Sequence, residues 1–152
     1  MKENFDSVLG KFRIIKSQNE DRDQLLTLTA DLLRIEIPHY DWVGFYFLDP
    51  NGQTLVLGPF KGKPTEHTHI PVGKGICGQV AESKQTIIVQ DVTKQNNYIA
   101  CSLDVQSEIV VPILKDGKFV AEIDIDSHEY APFSDEDEQF LKAISRELAE
   151  YF

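Results

Sequence analysis

The chain is poor in sulfur and in positive charge. Its 152 residues include two cysteines, one methionine and one tryptophan. So few cysteines exclude a disulfide scaffold, and without an export signal they are expected to be reduced thiols at rest. His67 and His69 taken with a cysteine fit no common zinc spacing, and no metal is expected. No cofactor is called for either. No apolar segment approaches the roughly 18 residues of a membrane span, and MKENFDSVLGKFRIIK at the N-terminus has no signal-peptide run. Lys and Arg total 15 against 25 Asp and Glu, a net charge of −10. No basic cluster offsets that excess, so nucleic acid is excluded as a partner, as is a membrane. A soluble, cytoplasmic protein is the expectation.

Hydrophobic residues make up 41% of the chain, enough for one core, and residues 1–152 are expected to form a single domain. Phe5, Val8, Leu9, Phe12 and Ile15 predict a helix over 4–18. Leu25, Leu28, Leu32 and Ile35 predict a second over 20–37, stopped by Pro38. The period then changes. Strands are expected over 41–48 and 53–60 around the Pro50-Asn51-Gly52 turn, with a short edge strand over 70–72. A glycine cluster leads to a short helix over 79–83 and a strand over 86–92. A hairpin over 107–114 and 118–125 turns at Asp116-Gly117. Ser134 and Asp137 fit an N-cap for a last helix carrying Phe140, Leu141, Ile144 and Leu148. The class is α+β, with an antiparallel sheet, terminal helices on one face and loops over a pocket on the other.

The segment 97–126 carries the most reactive chemistry. Cys101 stands in a loop, where a cysteine is either a reactive thiol or a structural one. Asp124 and Asp126 share a strand face with Glu122 beside them, and Glu108 alternates with Ile109 and Val111. That acidic face is either solvated or a site whose crowded carboxylates hold an ammonium group or keep one proton as a general acid. Trp42 and Tyr46, four apart, share a face and read as core or as an aromatic wall. Gly73-x-Gly75-x-x-Gly78 has dinucleotide-fingerprint spacing but no room for a βαβ unit, so a tight turn is expected. The turn into the short helix, with Gly75 and Ile76, offers amides to a carboxylate. Cys77 sits there too, where the location lowers a thiol pKa unless burial makes the residue an apolar filler.

Six motifs fall together in order: WVGFY (42–46), LVLGPFKGKP (55–64), IPVGKGICG (70–78), IAC (99–101), SEIVVP (107–112) and IDIDS (123–127). The set resembles the free methionine-(R)-sulfoxide reductases, small enzymes of the GAF fold. That resemblance implies Cys101 as the thiol attacking the sulfoxide sulfur. It places Glu108, Asp124 and Asp126 around the substrate's amino group and sulfoxide oxygen, and Trp42 and Tyr46 against its methyl-sulfinyl end. It implies thioredoxin or a small-molecule thiol as reductant, and a homodimer by fold analogy. In the family a cysteine before HIP resolves the intermediate. Residues 63–69 here contain none, which leaves Cys77 as the candidate resolving thiol. The competing expectation is a noncatalytic GAF module binding a small molecule or a protein.

Overall fold

The structure, a computed structural model, describes residues 4–95 and 104–152. Two helices open it, α1 (Phe5–Gln18) and α2 (Arg22–Glu36), capped by the side chains of Asn4 and Asp21. Six strands follow: β1 (Trp42–Leu48), β2 (Thr54–Lys61), β3 (His69–Pro71), β4 (Ile87–Val89), β5 (Ser107–Lys115) and β6 (Lys118–Ser127). Helix α3 (Gly75–Ser83) lies between β3 and β4, and α4 (Asp135–Leu148) closes the fold. The sheet order is β3-β2-β1-β6-β5-β4, with every pairing antiparallel. This is the α+β architecture that the sequence implies.

The period-two pattern of β6 sorts the two faces. Ala121, Ile123 and Ile125 join Val43, Phe45, Ile109 and Val111 in a core covered by α1, α2 and α4. Phe12, Leu25, Leu26, Leu33, Leu141 and Leu148 reach it with no exposed surface, each contributing about 1.5–3 kcal/mol of burial. Pro112 is tolerated because β4 pairs with β5 only as far as Val110, so no ladder donor is lost. Its carbonyl accepts from Ser145 Oγ at 2.6 Å, which pins α4 to the strand.

Ser134 caps α4 in a reciprocal box with Asp137. Asp137 Oδ1 also accepts from Tyr40 Oη at 2.7 Å and lies 2.8 Å from His39 Nε2. The buried carboxylate thereby ties the start of α4 to the α2–β1 connection.

Helix α3 departs most from expectation. It begins at Gly75, not near 79, and takes Cys77 and Gly78 into its first turn. Its flanking strands lie at opposite edges of the sheet, so α3 crosses the face opposite the other helices. Gly78 permits that path: a Cβ there would stand 2.6 Å from the Pro71 carbonyl oxygen and 2.9 Å from Gly73 N. The glycines serve this close backbone approach inside an antiparallel frame. Smaller departures are β4, which ends at Val89 before a 3-10 turn over Val92–Lys94, and β6, which runs on to Ser127. Among the described residues no helix is long and apolar enough to cross a membrane.

Candidate active site

Strand register assembles the site. Across β1 and β6, Trp42 faces Asp126, Gly44 faces Asp124 and Tyr46 faces Glu122. Across β5 and β6, Glu108 faces Asp126 and Val110 faces Asp124. Aromatic and acidic residues therefore share one face, under α3. The solvated reading of that face does not hold: Glu108 is 3% exposed, Asp124 1%, and Glu122 and Asp126 0%. The crossing helix removes them from water, and a two-residue period cannot show that.

Crowding sets the protonation. Burial, then the charges of Asp124 and Asp126, push the Glu108 carboxyl well above its usual range. Burial and the Asp124 charge do the same to Glu122. Asp124 is raised by burial, while hydrogen bonds to Glu108 and Cys77 act the other way. Both Glu122 oxygens and Asp124 Oδ1 lack a hydrogen-bond partner among the described residues. Unpaired buried carboxyls of this kind mark a site prepared for something else, because each costs desolvation free energy as it stands.

Of the two readings of Cys77, the structure bears out the buried one. Its thiol is pushed well above the ordinary value, first by burial and then by Asp124, Glu122 and Glu108. The helix start does not produce a thiolate, because the thiol is buried and the surrounding charges are negative. The Sγ lies 3.3 Å from Asp124 Oδ2 and 3.9 Å from Glu108 Oε2; a thiol has one proton, and the shorter contact is the hydrogen bond. The donor atoms of Cys77, Glu108 and Asp124 all lie within 4.8 Å of one another, a set able to hold a metal ion. The two histidines considered from sequence are not part of it.

The aromatic pair acts as wall and clamp. The Trp42 indole stacks on Phe60, with centroids 5.5 Å apart and planes at 19°, and its Nε1 donates to the Lys63 carbonyl at 3.0 Å. Tyr46 Oη donates to the His67 carbonyl at 2.8 Å. Together they fasten the irregular 62–69 segment to the sheet. Gly44 and Gly62 make room for the indole: a Cβ at either would lie 2.3 or 2.5 Å from its ring.

Two cavities open along the acidic row. Tyr46, Gly75, Ile76, Cys77, Glu108 and Asp124 line one of about 10 Å³, together with His67 and Lys74. Trp42 and Asp126 line another of about 100 Å³, with Lys63 and Val105. The structure thus gathers eight of the nine site residues selected from sequence. The ninth, Cys101, lies outside the described residues. Glu122 was visible on the same face but had no task assigned to it, and Gly44, a glycine inside a strand, was the signal for the close approach of Trp42.

Comparison with known proteins agrees with this picture. Residues 21–151 match the model of the GAF domain. The chain is 39% identical over 123 residues to the free methionine-R-sulfoxide reductase of Escherichia coli, covering 81% of this chain and 73% of that one. It is 36% identical over 147 residues to GAF domain-containing protein A of Dictyostelium discoideum, covering 96% and 90%. The structure superimposes on free methionine-R-sulfoxide reductase from Neisseria meningitidis, solved in complex with its substrate, with a TM-score of 0.92 at 35% identity over 97% of this chain and 87% of that one. A GAF-family match over most of the length, reductase relatives and a shared fold lead to one conclusion: the chain belongs to the GAF-domain family of free methionine-R-sulfoxide reductases.

Proposed function

We propose that this protein reduces free L-methionine-(R)-sulfoxide to methionine, with Cys101 as the attacking thiol. The observation that carries the reading is the buried row of Glu108, Asp124 and Asp126 facing Trp42. A free amino acid differs from a peptide-bound one by its ammonium and carboxylate. The small cavity beside Glu108 and Asp124 has room for one group the size of water, which suits the ammonium. The α3 start at Gly75 and Ile76 supplies amides for the carboxylate. The larger cavity at Trp42 and Asp126 takes the methyl-sulfinyl end.

Chemistry proceeds in two steps. Cys101 sulfur attacks the sulfoxide sulfur while a protonated carboxyl of the row, Glu108, gives its proton to the departing oxygen. The protonated oxygen then moves from the substrate sulfur to the Cys101 sulfur as the S–O bond and the transient S–S bond both break, which leaves the thioether, reduced by two electrons, and Cys101 as a sulfenic acid. A second thiol then attacks the sulfenic sulfur, forming a disulfide and releasing water. Cys77 is that thiol: it lines the small cavity with Glu108 and Asp124, and Asp124 at 3.3 Å can accept its proton. Thioredoxin or another dithiol reduces the disulfide. The same reading makes the protein a cytoplasmic single GAF domain that pairs with a second copy through its terminal helices, where Ile14 and Ile35 are 59% and 69% exposed.

Steady-state turnover with dithiothreitol or thioredoxin tests the proposal. Free L-methionine-(R)-sulfoxide should be consumed, the N-acetylated compound should not, and Cys101→Ser should be inactive. A wild-type protein that turns over with neither reductant would defeat it. The noncatalytic reading draws on the Dictyostelium relative, whose name records only a GAF domain. It predicts ligand binding unchanged in Cys101→Ser and no sulfenic acid after sulfoxide treatment.

A further inference from the structure

We propose that Cys77, Glu108 and Asp124 form a binding site for a thiophilic divalent cation of the zinc class, and that its occupation closes the cavity to substrate. The three donors come from α3, β5 and β6, and their ligand atoms all lie within 4.8 Å of one another. A tetrahedral zinc with bonds of roughly 2.3 Å to sulfur and 2.0 Å to oxygen separates those ligand atoms by about 3.5 Å. The distances from Cys77 Sγ are 3.3 Å to Asp124 Oδ2 and 3.9 Å to Glu108 Oε2, which bracket that edge. The adjoining cavity of about 10 Å³ leaves room for one water as the fourth ligand.

A second observation points to a cation independently. Asp124 is 1% exposed and lines the cavity, and its Oδ1 has no hydrogen-bond partner among the described residues. A dication beside it supplies the positive charge that the row lacks. Sulfur in the set selects the class: magnesium and calcium require oxygen cages of six or more ligands, whereas thiolate with carboxylate suits zinc or cadmium. Binding places the metal on the Cys77 thiolate and releases the thiol proton to solvent. The blocking part of the proposal rests on the reductase reading, because it is the substrate's ammonium that the cation displaces. The binding part does not.

The test uses fully reduced Cys101→Ser protein, whose one thiol is Cys77, with cadmium as probe. Sulfur-to-cadmium charge-transfer absorption should rise and saturate at one equivalent. Glu108→Gln and Asp124→Asn, each made in that background and checked for native circular dichroism, should each weaken cadmium binding at least tenfold. No absorption at one equivalent, or an affinity in either carboxamide variant unchanged from the Cys101→Ser parent, would overturn the site. In wild-type protein kept reduced by a phosphine, zinc should raise the apparent KM for the sulfoxide without lowering kcat. Binding at Cys77 with KM unchanged would overturn the blocking role. A protein with no reductase activity would defeat the functional reading while leaving the cadmium result to stand by itself.

Discussion

Glu122→Gln is the perturbation that best exposes the physics of the acidic row. Glu122 is fully buried, and its carboxyl is pushed well above the ordinary value by burial and by Asp124. In the unfolded chain it ionises near pH 4.3. The stability that the neutral group permits is therefore complete below about pH 4.3 and is lost as pH rises, until the folded group ionises as well. Within that window each such carboxyl subtracts about 1.4 kcal/mol per pH unit. Glutamine is the neutral isostere and removes the term. Its amide meets the same lack of partners among the described residues, a cost of about 1–3 kcal/mol that does not vary with pH. The slope, not the absolute stability, is thus diagnostic. Urea denaturation at half-unit steps from pH 5 upward should show the variant gaining on wild type by about 1.4 kcal/mol per unit, then levelling off. A difference that stays flat within about 0.5 kcal/mol across that range would refute the claim that Glu122 is held protonated by its surroundings.

Gly44→Ala would set a Cβ 2.3 Å from Trp42 Cη2 and 2.9 Å from Phe60 Cβ. It should cost about 1–3 kcal/mol by overpacking, shift the tryptophan fluorescence and raise KM for the sulfoxide. Gly10→Ala in α1 meets nothing within 4 Å and should instead stabilise by about 0.5–1 kcal/mol in the same thermal melt. Asp137 has the opposite pH sign to Glu122. Burial would raise its pKa, but hydrogen bonds from His39, Ser134 and Tyr40 hold it below the ordinary value. Its stabilisation is full above about pH 3.9 and is lost as pH falls through the lower folded value. Asp137→Asn should therefore cost about 1.5–3 kcal/mol at pH 7 and progressively less in acid denaturation.

Much of this was legible in the sequence, for identifiable reasons. The stripes of α1, α2 and α4 and the alternation of β6 report burial directly, because period and face are linked by backbone geometry. Ser134 and Asp137 announced the cap of α4, because a capping box is a local motif. The extent of α3 was not legible. Gly75 and Gly78 read as a turn, and their reason, the approach of the helix to Pro71 and Gly73, is tertiary. The state of Cys77 stayed open for the same cause: the helix start is local, while the carboxylates that surround it come from β5 and β6. Nor could alternation alone decide whether Glu108, Asp124 and Asp126 face water, since α3 decides it from a distant part of the chain. The motifs from Trp42 to Ser127 carried more than propensity could, since together they implied the family before any geometry was known.

The central claim is that this acidic pocket serves a thiol that reduces one free amino acid sulfoxide. Single turnover tests it most directly. Fully reduced protein, freed of all external thiol, is mixed with excess free L-methionine sulfoxide of each sulfur configuration, and methionine and protein thiols are counted. One methionine per chain is expected from the (R) form and none from the (S) form, with loss of both thiols and a Cys77–Cys101 disulfide in the mass spectrum. No methionine from the (R) form, or methionine formed equally by Cys101→Ser, would contradict it.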